Sequence, residues 1–276
     1  MIPLYFETKP GGVPLLSDRD IERDAAALIR DFNPSLLSDP APVDIERFAE
    51  SYLQLSIDFN WLSHNQTLLG RMVFCDTIIP VYDPYTKRAE DFPVHARTMI
   101  IDNSLIEKEA LLRSTIAHEC GHAIYHRSYY GRQKAQTAAC TASDIRIQTD
   151  VRQLTTEYDW LEHHAKRFSA AILMPYPAVR NVCKSYTDYL TLWYKNEPQL
   201  CNRLAASHLA SVYKVSFAAA QIRMNQLHLE FQAPAETHST APLSPRNAMS
   251  LIGATEEALA RVETEHYDRL YRQHYG

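Results

Sequence analysis

The segment from Thr115 to His126, Thr-Ile-Ala-His-Glu-Cys-Gly-His-Ala-Ile-Tyr-His, constrains the fold most strongly. His118 and His122 are four residues apart, so on an α-helix they are rotated by about 40° and separated by roughly 6 Å along the axis. Both imidazoles can then bind one metal ion, which is the arrangement of an H-E-x-x-H zinc motif. Glu119 points in a different direction, as expected of a carboxylate that holds the metal-bound water instead of ligating the metal.

A catalytic zinc site has three protein ligands and an open position for water, so a further ligand is needed. His126 does not fit, because it lies about 12 Å from His118 along the helix axis. The longer metalloprotease pattern requires glycine and histidine three and six residues after His122, where this chain has Tyr125 and Ser128. The third ligand must therefore come from another part of the chain.

A second helix, near residues 161–172, provides that ligand. Glu162 shares a face with the small residues Ala165 and Ser169, which let two helices approach closely. Gly121 has the matching property on the first helix, where a glycine otherwise costs about 1 kcal/mol relative to alanine. We predict one Zn²⁺ per chain bound by His118, His122 and Glu162. The alternatives to Glu162 are the adjacent His163 and His164, and the less well placed Asp159 and Glu157, which lie three and five residues before it.

Composition and charge exclude several classes of protein. The 28 basic and 33 acidic residues give a net charge of −5, which provides no general attraction to nucleic acid or to anionic membranes. The seven glycines do not form the glycine-rich loops that bind phosphates. The five scattered cysteines indicate a reducing environment. Since we find neither a signal peptide nor a membrane-spanning apolar run, we expect a soluble, cytoplasmic protein.

Periodicity predicts a mixture of helices and short strands. Residues 83–94 and 132–154 are polar and are predicted as loops. A long helix is expected from Ile106 to about Tyr130, with Gly131 at its end. We predict four regions: a helical N-terminal extension (1–41), a zinc metallopeptidase domain (42–180), a helical region with a helix-turn-helix-like pair (181–231), and a linker with a final helix (232–276). The strands are expected at 55–59, 72–74, 78–82 and 98–101, and the other helices at 18–31, 44–53, 178–195, 199–213 and 217–228.

The chain resembles the ImmA/IrrE family of zinc metallo-endopeptidases over roughly residues 42–228. The resemblance is carried by Thr115–His126 and by residues 162–175. The latter resemble the family pattern Glu-x-x-Ala-x-x-Phe-Ala-Ala-x-Leu-Met-Pro, with Ser169 in place of the alanine that follows the phenylalanine and one additional residue before Leu173-Met174-Pro175. Pro42-Val43-Asp44-Ile45-Glu46 also resembles the usual start of the family's domain. A departure is the long separation, about forty residues, between His122 and Glu162.

The resemblance implies an α+β fold of the minimal gluzincin-like type. A small antiparallel sheet would pack on the zinc-binding helix, with additional helical regions at the N- and C-termini. It also implies His118, His122 and Glu162 as the zinc ligands and Glu119 as the catalytic acid and base.

Three functions are compatible with these features. The first is a site-specific endopeptidase that cleaves a regulatory protein, such as a helix-turn-helix repressor or an antitoxin. The second is a regulator that binds DNA or a protein partner through residues 204–227 and uses zinc structurally. DNA is not the expected partner, because Arg223 is the only arginine of the second helix and phosphate binding needs more basic residues. The third is a zinc hydrolase that does not act on peptides.

An intact Glu119 favours an enzyme, because a structural zinc site needs no base. The oligomeric state is not indicated by the sequence. A donor that stabilises the oxyanion is also needed, and the sequence does not rank the six candidates, which are Tyr125, His126, Tyr158, His163, His164 and Tyr176.

Overall fold

The structure, a computed structural model, describes residues 1–133, 137–141, 154–194 and 197–231. Residues Met1–Tyr186 and Asn202–Glu230 form one compact unit, and Thr187–Cys201 belong to a second. The linker and final helix predicted for 232–276 lie outside the described residues, and the predicted domain boundaries stay predictions.

Within the described residues, six strands form a four-stranded sheet and a separate hairpin. The sheet has the order β1-β5-β2-β6, with β2 antiparallel to both of its neighbours and β1 parallel to β5. Every residue of β5 is buried, as expected for a strand covered on both faces. β3 and β4 pair with each other as an antiparallel hairpin. The strands are β1 (Ser56–Asn60), β2 (Leu68–Val73), β3 (Thr77–Asp83), β4 (Arg88–Val94), β5 (Thr98–Asp102) and β6 (Thr137–Thr141).

Along the sequence, helices come before, between and after the strands. They are α1 (Asp18–Phe32), α2 (Ile45–Arg47, continued by a π-helical turn at Phe48–Tyr52), α3 (Glu109–Tyr125), α4 (Arg127–Gln133), α5 (Glu157–Leu173), α6 (Tyr176–Tyr194), α7 (Pro198–Tyr213) and α8 (Phe217–Gln226). Capping boxes at Ser17 and Thr156 begin α1 and α5, because each hydroxyl accepts a hydrogen bond from a backbone N–H of the first turn. The α+β class with a small antiparallel sheet is confirmed.

Helix α3 lies in the centre of this unit, with β2 and β5 on one side and α5 on the other. Every residue from Thr115 to His122 is buried, so both the apolar and the polar residues of the motif lie away from bulk water. Residues of the sheet, such as Met72 and Met99, and residues of the helices, such as Ile116 and Phe168, belong to one hydrophobic core. The core therefore surrounds the motif helix on all sides.

Two segments predicted as loops contain strands, so those two predictions are wrong. Arg88–Val94 forms β4 although most of its residues are exposed. The strand could not be recognised because its sequence has no apolar alternation. It pairs with β3 as the second strand of a hairpin, and Lys87 in the connecting turn adopts the left-handed conformation with φ 57°. Thr137–Thr141 forms β6 within the polar stretch 132–154 by pairing with β2. Residues 134–136 and 142–153 lie outside the described part of that stretch.

The predicted helix from Ile106 to Tyr130 is also wrong at its C-terminal end. Helix α3 ends at Tyr125, and His126 leaves the helical conformation with φ −110° and ψ 1°. Helix α4 then begins at Arg127, and Gly131 lies within it instead of ending α3. The break changes the direction of the chain directly after the motif.

Candidate metal centre

The structure brings His118, His122 and Glu162 together, and their ligand atoms lie within 4.8 Å of one another. The two Nε2 atoms of the histidines are 3.0 Å apart. Glu162 Oε2 lies 3.1 Å from Nε2 of His118, and Glu162 Oε1 lies 3.3 Å from Nε2 of His122. All three residues are at most 3% exposed. The arrangement is a compact triangle of nitrogen and oxygen atoms buried between two helices.

These residues fit a zinc ion by both chemistry and spacing. Imidazole nitrogen and carboxylate oxygen are ligands that zinc binds in catalytic sites. Ligands at zinc bond lengths in a tetrahedral site are about 3.3 Å apart, close to the 3.0–3.3 Å observed between these atoms. Neither oxygen of Glu162 has a hydrogen-bond partner of ordinary geometry. A buried carboxylate in that position needs a cation to balance it.

Close packing of α3 against α5 positions these ligands. A Cβ atom on Gly121 would lie 3.0 Å from Cα of Ala165 and 3.3 Å from its carbonyl oxygen. The hydroxyl of Ser169 donates a hydrogen bond of 3.1 Å to the backbone oxygen of Ser114 across the same interface. The small residues that the sequence placed on these two faces therefore meet in the structure.

Charge and burial act in opposite directions on Glu162. Burial opposes its ionisation, but the neighbouring imidazoles of His122 and His118 outweigh burial and lower its pKa. The carboxylate is consequently ionised at neutral pH, which is the form that binds a metal ion.

Glu119 lies beside the triangle in a different electrostatic environment. It is fully buried, and neither of its carboxylate oxygens completes a hydrogen bond. Burial raises its pKa to about 8; Glu162 adds to this rise, while His122, the Met72 backbone and Arg71 oppose it. A carboxyl group whose pKa lies near neutrality can both accept and donate a proton.

Gly70 on β2 makes room for Glu119. A Cβ atom at Gly70 would lie 2.6 Å from Oε1 of Glu119 and 2.7 Å from Cγ2 of Thr115. We did not identify this residue from the sequence. The only available signal was a glycine inside a β-rich run, which indicates a close approach of another group.

The family model described as peptidase M78, the IrrE N-terminal-like domain, matches residues 76–225, more than half of the chain. The chain belongs to this family. The match confirms the resemblance to the ImmA/IrrE proteins and supports a metallopeptidase, and it includes both α3 and α5. No curated protein matches the sequence. Among the described residues, no helix is long and apolar enough to cross a membrane.

Three other histidines of this metallopeptidase, His126, His163 and His164, lie on or beside the two helices without joining the triangle. Nδ1 of His126 is 2.9 Å from Nδ1 of His122, on the side of that ring opposite to Glu162. His163 is 2.8 Å from Asp18 of α1. His164 is fully buried, and its ring stacks on that of His126 with 5.8 Å between centroids. The structure thus brings Glu162, and neither His163 nor His164, to the motif histidines.

The candidate tyrosines lie in different surroundings. Tyr125 is buried among aromatic rings, and its hydroxyl donates to Asp24 at 3.5 Å. Tyr158 and Tyr176 are 48% and 40% exposed. Tyr130, which we did not consider from the sequence, is 6% exposed; burial raises its pKa, and the nearby Glu162 and Glu119 raise it further. It reaches this environment because α3 breaks at His126.

Two further side chains, those of Arg223 and Cys120, are buried away from solvent. Arg223 on α8 is fully buried, donates to the carbonyl of Met174 at 3.0 and 2.9 Å, and forms an ion pair with Glu22. The arginine of the helix-turn-helix-like pair therefore does not face solvent. The Cys120 thiol is also fully buried, and burial raises its pKa strongly, as expected of an unreactive cysteine.

Proposed function

We propose that this metallopeptidase is a zinc-dependent endopeptidase that cleaves a regulatory protein of the repressor or antitoxin type. The observation that carries the proposal is the triangle of His118, His122 and Glu162 beside a buried, unbonded Glu119 carboxylate. A structural zinc site is closed by four protein ligands and needs no base. The convergence of three ligand atoms with an adjacent carboxyl group is typical of a hydrolytic site.

In this proposal, three residues bind the metal ion and a fourth transfers protons. His118, His122 and Glu162 would hold the zinc ion, which when bound polarises a carbonyl group and makes water more acidic. Glu119 accepts the proton of the attacking water and passes it to the leaving amine. Burial of Glu119 favours its protonated form in the metal-free site, and a carboxyl group that is readily protonated can pass a proton to the leaving amine.

The regulator hypothesis receives less support. Arg223 would have to contact phosphate in a DNA complex, yet it is buried and paired with Glu22. A protein partner bound through α7 and α8 remains compatible with this burial. The substrate class of the endopeptidase follows from the family resemblance and is part of the proposal.

A cleavage assay with matched variants tests the proposal. The purified protein is analysed for zinc and incubated with a helix-turn-helix repressor encoded beside its gene, and fragments are identified by mass spectrometry. We expect cleavage by the wild type and by Glu107→Gln, an equivalent change at an exposed glutamate. Glu119→Gln should retain zinc and show no cleavage.

Other outcomes would contradict parts of the proposal. Full cleavage by Glu119→Gln would exclude the catalytic role of this residue. His118→Ala and Glu162→Ala should lose the metal, so stoichiometric zinc in Glu162→Ala would refute the ligand assignment. Stoichiometric zinc in a wild-type protein that cleaves no such repressor would favour the regulator hypothesis.

A further inference from the structure

The two ring nitrogens of His122 face two different groups. Nε2 lies in the triangle, 3.0 Å from His118 and 3.3 Å from Glu162. Nδ1 lies 2.9 Å from Nδ1 of His126. His122 and His126 are both fully buried, so the protein itself must satisfy these nitrogens.

The contact between the two Nδ1 atoms restricts the positions of the protons. A hydrogen bond between two imidazole nitrogens needs one N–H and one lone pair. If His122 ligates a metal through Nε2, its single proton lies on Nδ1 and is donated to His126. Nδ1 of His126 must then accept, so the proton of His126 lies on Nε2, a buried nitrogen that has no hydrogen-bond partner among the described residues.

We propose that His126 is a positioning residue that fixes the tautomer and ring orientation of His122 for metal binding. Metal-ligating histidines usually donate their other N–H to a carboxylate, a backbone carbonyl or water. Here a second neutral imidazole, one turn further along, takes that role. The proposal rests on the proposed metal site and adds a residue that neither binds the metal nor touches a substrate.

Three contacts hold His126 in place for this purpose. Its backbone N–H donates to the carbonyl of His122 at 3.0 Å, and its own carbonyl accepts from the N–H of Tyr130 at 3.1 Å. Its ring stacks on His164 with an interplanar angle of 29°. These contacts keep the ring of His126, the residue that follows α3, against the ring of His122.

Metal affinity is the direct test, and it does not depend on any substrate. His126→Phe keeps a buried aromatic ring but removes the acceptor, and the dissociation constant for Zn²⁺ should rise by about 10- to 100-fold. His126→Gln, whose side-chain carbonyl can accept, should recover part of the loss. His164→Phe is the control, because it preserves an aromatic neighbour of His126 without removing the contact to His122. Chelator competition measures Zn²⁺ binding, and the visible spectrum of the Co²⁺ form reports ligand geometry.

The outcomes separate this inference from the proposed function. Wild-type affinity in His126→Phe, or an equal loss in all three variants, would overturn the positioning role. If His126→Phe does not fold, His126→Met replaces it as a flexible apolar variant. A wild type that binds zinc but cleaves nothing would refute the proposed function alone.

A second inference rests on a different observation, the position of β6. This strand pairs antiparallel with β2, with Met72 opposite Ala138, Arg71 opposite Ala139 and Gly70 opposite Cys140. Gly70 is also the residue at which a Cβ atom would lie 2.6 Å from Oε1 of Glu119. The backbone of β6 therefore pairs with β2 at a position beside the proposed catalytic carboxylate.

We infer that β6 occupies the edge to which an extended substrate segment binds. An exposed strand edge binds a peptide by adding it as a further strand, and β2 offers that edge beside Glu119 only when β6 has left it. The four site residues are at most 3% exposed, which agrees with a covered site. This inference rests on the proposed function and concerns the control of access to its site.

Access to the metal can be measured without a substrate. Ala138 is 2% exposed, so Ala138→Glu should detach β6 and accelerate removal of bound Zn²⁺ by a chelator by at least about 10-fold. Ala139→Glu is the control, because it places a carboxylate opposite Arg71 in the same strand and should leave the rate unchanged. Equal removal rates in both variants would overturn the inference. Faster removal without cleavage of any substrate would refute only the proposed function.

Discussion

Gly121 provides the sharpest test of how α3 and α5 hold the metal centre. A Cβ atom at this position would lie 3.0 Å from Cα of Ala165, 3.3 Å from its carbonyl oxygen and 3.3 Å from Cδ1 of Phe168. Two of these three atoms belong to the backbone of α5. A change of side-chain rotamer cannot relieve those contacts, so Gly121→Ala must move one helix relative to the other.

Two opposing effects determine the stability of Gly121→Ala. In an open helix the substitution stabilises by about 1 kcal/mol. Overpacking a close interface costs about 1–3 kcal/mol. We therefore expect a net loss of up to about 2 kcal/mol in the free energy of unfolding. Because Glu162 lies one turn before Ala165 on α5, the same displacement should move its carboxylate from His118 and His122 and weaken zinc binding.

Urea unfolding of the metal-free protein and chelator competition measure the two effects. Gly131→Ala is the matched control, because a Cβ there would have no heavy atom within 4 Å. Gly131 lies in α4, so this variant should gain up to about 1 kcal/mol and bind zinc normally. If Gly121→Ala gains as much stability as Gly131→Ala and keeps its zinc affinity, the close-packing argument is wrong.

Three other predictions follow from buried contacts. Gly70→Ala should displace Glu119 and reduce kcat at least about 10-fold while zinc is retained, as peptide cleavage and metal analysis would show; unchanged kcat would contradict the contact. The pKa of Glu119 is about 8 in the folded protein, compared with an ordinary value of 4.5. The folded state therefore binds this proton more tightly than the unfolded state does, and the free energy of unfolding should fall as the pH rises between these two pKa values. In urea unfolding of the metal-free proteins, the free energy of unfolding should differ less between pH 5 and pH 8 for Glu119→Gln than for the wild type. Arg223→Met leaves Glu22 and the Met174 carbonyl without their partner and should lower the free energy of unfolding by about 3 kcal/mol, whereas a wild-type urea midpoint would contradict this role.

The motif helices could be predicted because their local pattern and their packing agree. The spacing of His118 and His122 requires a helix, and the small residues on the facing sides of α3 and α5 indicate the contact seen between Gly121 and Ala165. The strands β4 and β6 could not be predicted in the same way. Residues of β4 are mostly exposed, so no alternation marks them and the strand is defined by its hairpin pairing with β3. Strand β6 is defined by its pairing with β2, which is distant in the sequence.

The break at His126 shows why part of the site was missed. The apolar periodicity continues beyond Tyr125, and nothing local marks the end of α3. The break becomes favourable only in the folded protein, where the His126 ring lies between His122 and His164. It places Tyr130 near Glu119 and Glu162 instead of one turn further along α3. Residues whose position depends on such a break cannot be found from helical spacing.

The N-terminal region, which carries no recognisable motif, is bound to both helices of the metal centre. Asp18 at the start of α1 lies 2.8 Å from His163 and 3.1 Å from Arg167, both on α5. Asp24, one and a half turns later, accepts from the hydroxyl of Tyr125 at the end of α3. Helix α1 therefore joins the element that carries Glu162 to the one that carries His122. Since a displacement of a few tenths of an ångström matters for metal ligands, residues outside the motifs contribute to the geometry of the site.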